Sequence, residues 1–226
     1  DIRLLLAERA ERLAGGERPA LPARIPASRF KDIVSAPDAV SAQLRRPMPE
    51  RPYRQTRLGT TFHSWVENRF GIQGGAEAVD TFPDEFDDSG PTSVEQERLD
   101  ALIETFERSE WADRRPEAVE IEIHLQLAGH VVVCKLDAVY ATEDGVQIVD
   151  WKTGRAPRDA ADLELKQFQL ALYRLAYSRW RGVPLESVDA VFFFVADDLV
   201  LRPERFYSER ELAESLSSAT GASPRP

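Results

Sequence analysis

The chain has 226 residues, of which 42% are hydrophobic and 30% charged, with a formal net charge of −10 and a single cysteine, Cys134. That composition describes an ordinary soluble globular protein with room for one sizeable core. It excludes a membrane-spanning helix, a disulfide framework, a cysteine-built zinc site and a four-cysteine iron–sulfur cluster. Twelve acids and two arginines between Ala76 and Glu110 carry the whole net charge, so the rest of the chain is neutral and well supplied with Arg and Lys. The negative balance by itself argues against a phosphate-rich partner, and its confinement to one segment weakens that objection. The lone thiol is compatible with a reducing bacterial cytoplasm, the expected location. The start at Asp1, with neither Met nor a signal-type segment, is the pattern of a piece of a longer polypeptide.

In chain order, Ile2, Leu5, Leu6, Ala10 and Leu13 recur at helical spacing until Gly15-Gly16. A connector containing Pro19, Pro22 and Pro26 follows, so residues 1–27 read as a helix plus an extended linker and 28–226 as the main domain. Ser28 is placed to cap a short helix through Val34, a second helix spans 37–45, and a third spans 60–70 and stops at Gly71. The intervening RRPMPERP (45–52) cannot be regular structure. Residues 74–91, rich in Gly, Asp and Pro, read as a surface loop; with the helix after it they form an acidic insertion over about 74–111. That helix is expected to start at a capping box of Ser93 and Gln96, to bury Leu99, Leu102, Ile103 and Phe106, and to run to about Trp111.

The apolar period then changes from 3.6 to 2. Val119, Ile121, Ile123, Leu125 and Leu127 alternate with Glu120, Glu122, His124 and Gln126, which predicts a half-exposed strand with the polar set in solvent. Ala128-Gly129 turns into a second strand over 130–140, and Asp144-Gly145 signals a hairpin into a third over 146–152. A long helix over 160–181 leads to the continuous apolar run 188–195, a strand buried on both faces. A short strand over 199–202 and a helix capped by Ser208 and Glu211 close the chain. The fold class is α/β, a small mixed sheet flanked by helices, with an N-terminal helical region.

Asp150 and Lys152 are two apart on the third strand, so their side chains leave one face while Trp151 points to the other. Asp137 lies on the neighbouring strand, at a distance that the pairing register decides. Two carboxylates converging on one point repel unless a cation joins them, and oxygen donors of this kind suit Mg²⁺ or Mn²⁺. Such an ion polarises a phosphodiester and activates water, with Lys152 steadying the developing charge. For an isolated D-x-K pair a structural salt bridge is the commoner origin. Gln169 and Tyr173, at i and i+4 beside an apolar stripe, could hold a phosphate or brace Lys152, or could be an ordinary helix shoulder. His63 and Glu67, also at i and i+4, could share a metal or bond each other. Glu120 and Glu122 read as solvated.

In order, GTTFHSWVE (59–67), VEIEI (119–123), KLDAV (135–139), VDWKTG (149–154) and QLALY (169–173) resemble the RecB-type branch of the PD-(D/E)XK nuclease superfamily. They are most similar to the C-terminal nuclease modules of actinobacterial AdnAB-like and UvrD-like helicase–nucleases. The resemblance covers 28 to about 195 and implies a restriction-endonuclease-like fold. It implies metal ligation by His63, Asp137, Asp150 and the Trp151 carbonyl. Lys152 would be the catalytic lysine, Gln169 and Tyr173 the Q-x-x-x-Y element, and Glu120 an acidic position of variable role. DNA, a single strand in particular, and a superfamily-one helicase motor are the implied partners, in double-strand break processing. One departure is Cys134, where relatives usually carry Gly, with bulk that could narrow the approach to the site. The competing reading keeps the fold as a catalytically silent module that docks or guides DNA.

Overall fold

The computed structural model describes residues 2–3, 21–45, 54–71 and 92–220. All but the first two residues of the helix expected over 2–13, the loop over 74–91 and most of 45–52 lie outside the described residues. Six strands form one mixed sheet: β1 (Arg24–Pro26), β2 (Ala118–Leu127), β3 (His130–Thr142), β4 (Gly145–Lys152), β5 (Val188–Phe194) and β6 (Leu199–Leu201). Among the described residues the α-helices are α1 (Phe30–Ser35), α2 (Pro37–Arg45), α3 (Arg54–Phe70), α4 (Ser93–Glu107), α5 (Ala160–Arg181) and α6 (Glu209–Thr220). The expected α/β architecture is therefore the one observed. Among the described residues no helix is long and apolar enough to cross a membrane.

Each face of the sheet has its own core. Ile123, Leu125, Leu127, Ile148, Ala190, Phe192 and Phe194 pack with α1, α5 and α6 on one side. Val119, Ala138, Tyr140, Val149, Trp151, Val191 and Phe193 pack with α3 and α4 on the other. β5 supplies both sets, which is why its sequence is apolar throughout rather than alternating. In the second core the Phe106 ring meets Phe62 at 6.0 Å and Trp151 at 5.8 Å, both edge-on. Burying such rings is worth about 1.5–3 kcal/mol each, and here it seats α3 against β4.

The positions of the turns fix the register. Ala128 and Gly129, both at positive φ, close the β2–β3 hairpin and set Leu127 opposite His130 and Ile121 opposite Leu136. The β3–β4 turn is Glu143-Asp144, one residue earlier than expected, because Gly145 already pairs with Thr142. Gly145 has φ 151°, and a Cβ there would lie 2.0 Å from the Ser187 carbonyl oxygen, so only glycine fits.

β2 occupies one edge of β3 along its length, whereas the other edge is shared. Val131–Val133 pair in parallel with β1, and Ala138–Thr142 pair antiparallel with β4. The segment read as a linker thus contributes an edge strand. Between the two partners, over 134–137, this edge of β3 is open and the sheet forks.

Local starts differ from expectation in three places. Ser28 does not cap α1; it sits in a 3₁₀ turn (Ala27–Arg29) that runs into the helix. α3 begins at Arg54, not Thr60. The α4 capping box is Thr92 with Glu95, one residue before Ser93 and Gln96, and the helix ends at Glu107. Trp111, beyond that end, is fully buried in the second core. Ser208 and Glu211 cap α6 as read.

Candidate active site

The fork gathers side chains from five elements. Continuing the β3–β4 register beyond Ala138–Val149 sets Asp137 across from Asp150. The two strands diverge here, and the Asp137 carboxylate accepts the Trp151 backbone N–H at 2.8 Å, replacing the lost ladder bond. Asp137 is 7% exposed and Asp150 1%.

Opposite Asp137 on β2 stands Glu120, which the strict alternation of that strand places in solvent. It is instead 5% exposed, with φ 51°. Left-handed backbone in a non-glycine residue costs about 1–2 kcal/mol, and it breaks the pleat. Ile121 packs towards the first core, whereas Val119, two residues away, packs in the second. The break turns the Glu120 carboxylate inward, where Lys135 Nζ lies 2.7 Å away and His63 Nδ1 3.0 Å away.

His63 comes from α3. Its Nδ1 donates to Glu120 rather than to Glu67, its expected partner, and stands 3.7 Å from Asp137; its Nε2 donates to the Trp151 carbonyl at 3.2 Å. α3 can approach this closely because Gly59 faces Thr153, whose hydroxyl oxygen would be 3.3 Å from an added Cβ. One potential ligand atom from each of His63, Glu120 and Asp137 lies within 4.8 Å of the others.

On the other side of Asp137, Lys152 Nζ sits 2.6 Å from Asp150, and Gln169 Nε2 donates to Asp150 at 3.1 Å and to the Tyr173 hydroxyl at 2.6 Å. Gln169 and Tyr173 therefore brace the Asp150–Lys152 pair from α5. Cys134 is wholly buried and points at the Leu172 carbonyl of α5 at 3.8 Å. Its bulk lies in the core and does not narrow the site.

The electrostatics match this crowding. Burial, then the charge of Asp150, pushes the Asp137 carboxyl up to about 7 despite His63 and Lys152 nearby. Burial pulls His63 down, but Asp137 and Glu120 together outweigh it and lift the imidazole to about 9. For Glu120 burial pushes upward, and the bonds from His63 and Lys135 more than offset it, holding the carboxyl below its ordinary value. Burial lowers Lys152 while Asp150 and Asp137 raise it by more, so it stays an ammonium. Burial, then Asp150, lifts Tyr173 well above its ordinary value and keeps it a phenol.

The expected residues Asp137, Asp150, Trp151, Lys152, Gln169, Tyr173 and His63 thus meet at one fork, but their grouping differs from expectation. The tight candidate ligand set contains Glu120 in place of Asp150, whose oxygens face Lys152 and Gln169. Glu120 is the residue that the alternation of its strand left in solvent, and its partner Lys135 is exposed. The β2–β3 turn would have found it, since counting back from Leu127–His130 sets Glu120 against Asp137.

No curated protein matches the chain by sequence. By structure, the chain is similar to a Eubacterium rectale protein described as a "putative exonuclease", with a TM-score of 0.53 at 14% identity over 88% of this chain and 77% of that one. SSO0001 gives a TM-score of 0.45, also at 14% identity, over 100% of this chain and 87% of that one. At such identity the likeness to the first of these speaks for the fold alone. A sequence profile described as PD-(D/E)XK nuclease superfamily matches residues 39–221, most of the chain and every residue of the site. The chain belongs to the PD-(D/E)XK nuclease superfamily.

Proposed function

We propose that the chain is a divalent-metal-dependent deoxyribonuclease of the RecB type. In this reading it is the nuclease module of a bacterial cytoplasmic helicase–nuclease that trims single strands fed by a superfamily-one motor during double-strand break processing. The observation that carries it is the convergence of His63, Glu120 and Asp137 within 4.8 Å, beside a buried Asp150–Lys152 pair. Superfamily membership supports the same reading.

His63, Glu120 and Asp137 are the residues that would hold the ion, with Asp150 and the Trp151 carbonyl at their border. Three carboxylates and one imidazole form a mostly oxygen donor set that fits Mg²⁺ or Mn²⁺. The lifted Asp137 supports that fit: packed acids hold a proton where a cation would relieve them. When bound, the ion supplies Lewis acidity to a phosphodiester and to the attacking water.

The chain's own side chains do the rest. Lys152, kept as an ammonium by Asp150, places a fixed positive charge where negative charge gathers on the phosphoryl oxygens. Gln169 and Tyr173 hold Asp150 in place and so fix Lys152. Lys135 neutralises the outer Glu120 oxygen and keeps that carboxylate ionised.

The test is cleavage of a labelled single-stranded DNA in Mn²⁺ by the chain and by Asp150→Ala. The expected loss is at least about 100-fold, as for removal of other charge-positioning groups. Equal cleavage by both proteins would overturn the assignment. Strand binding with no cleavage by either would favour a silent guiding module.

A further inference from the structure

Among the described residues, nine arginines lie within 4.0 Å of a carboxylate. Arg69, Arg108, Arg114, Arg179, Arg202 and Arg205 each lie within 3.7 Å of one. Arg98, Arg155 and Arg158 are exposed and, among the described residues, have no such partner. All three line one groove of about 850 Å³. α4 forms one wall with Arg98, Leu102 and Thr105, and the segment after β4 forms the other with Thr153, Arg155 and Arg158. Thr153 follows Lys152 directly and faces Gly59, one turn before His63 on α3, which sets this wall of the groove beside the candidate active site.

We propose that this groove is the track for the sugar–phosphate backbone of the strand that the Asp137–Asp150–Lys152 site engages. The proposal rests on the nuclease reading and names the surface that delivers its substrate. Guanidinium groups match phosphate oxygens with paired donors, and a weakly hydrated cation without a carboxylate partner has no competitor to displace. Thr153 adds a neutral hydroxyl, while Leu58, Leu102 and Ala196 supply an apolar floor for sugars. Among the described residues the lining contains no aromatic ring on which a base could stack.

The setting explains how an acidic protein grips an acidic polymer. Arg98 stands among Glu97, Asp100 and Glu104 on α4, all exposed. Those acids repel phosphates from the outer surface of the helix and leave the groove as the favourable path.

Strand binding is measured by fluorescence anisotropy in EDTA, where no cleavage intervenes, as salt rises from about 50 to about 200 mM. The combined variant Arg98→Gln, Arg155→Gln, Arg158→Gln is compared with a charge-matched control, Arg29→Gln, Arg108→Gln, Arg210→Gln. The groove variant should bind at least about ten-fold more weakly, and its log–log salt slope should fall by about 2, from three lost contacts to a single strand. The control should change affinity less than about two-fold. Arg98, Arg155 and Arg158 are exposed and have no carboxylate partner among the described residues, so an unchanged melting temperature is expected and separates binding from unfolding. Full affinity and slope in the groove variant would overturn the proposal, as would an equal loss in the control or no binding by the wild type. The two readings fail separately: undiminished cleavage by Asp150→Ala removes the catalytic assignment, whereas the anisotropy in EDTA answers for the groove alone.

Discussion

Replacing Asp137 with Asn should make the metal-free chain more stable at high pH, the opposite of what removing a structural acid would do. Asparagine keeps an oxygen that can accept the Trp151 N–H now bonded at 2.8 Å, so the strand fork survives. The Asp137 carboxyl is raised from 3.8 to about 7 by burial and by Asp150. A carboxyl raised on folding withdraws stability progressively as pH climbs from its unfolded value to its folded one. Over that interval the loss amounts to about 4 kcal/mol, and it persists above pH 7. His63 works in the other direction. Its rise from 6.5 to about 9, partly due to Asp137, adds stability that is fully present below pH 6.5 and gone once pH passes 9. At pH 6 the two tendencies nearly cancel, and Asp137→Asn should match the wild type within about 1 kcal/mol. At pH 9.5 only the carboxylate penalty remains, and the variant should be more stable by about 2–4 kcal/mol. Urea unfolding in EDTA at both pH values measures the difference. A variant less stable than the wild type at pH 9.5 would refute the view that these acids are held together against their own repulsion.

Three further outcomes follow. Lys152→Ala leaves Asp150, 1% exposed, without its ammonium, so the chain should lose about 3 kcal/mol of stability in urea, and cleavage per folded molecule should fall at least about 100-fold. Gly145→Ala forces a Cβ to 2.0 Å from the Ser187 carbonyl oxygen at φ 151°, and calorimetry should record a destabilisation of about 2–5 kcal/mol. Metal uptake must displace the protons held by Asp137, near 7, and His63, near 9. Mn²⁺ affinity should therefore climb from pH 6 to pH 9, with proton release visible when calorimetry is repeated in buffers of different ionisation enthalpy; a flat profile would contradict it.

The sheet was legible because its periodicities are strong. β2, β3 and β5 lie within two residues of expectation at each end, and α5 spans the expected residues. The register was less so. A turn at Asp144-Gly145 would face Asp137 with Lys152, whereas the observed turn at Glu143-Asp144 faces it with Asp150, so one residue of turn placement decides which charges meet. The start of α3 was hidden by Gly59, which reads as a boundary and is in fact an interior position where the helix passes close to Thr153. The α4 capping box expected at Ser93 and Gln96 forms one residue earlier, at Thr92 and Glu95. Glu95 prevails over Gln96 because its carboxylate accepts from both the Thr92 N–H and hydroxyl, and complements the helix dipole.

Glu120 is the instructive miss. Its neighbours alternate regularly, and nothing in local propensity foretells a glutamate at φ 51°. The strain is offset by long-range partners, His63 from α3 and Lys135 from β3, which periodicity within one strand cannot reveal. Departures from a local rule are expected at functional or strained positions.

The most direct test of the fork as a cation site is a titration with Mn²⁺ at pH 8, reading free Mn²⁺ by electron paramagnetic resonance. The wild-type chain should take up the ion, and both Glu120→Gln and Asp137→Asn should weaken that uptake by at least about ten-fold, as loss of a supporting partner does in other metal sites. A wild type that takes up no Mn²⁺, or variants that take it up as tightly, would contradict the account.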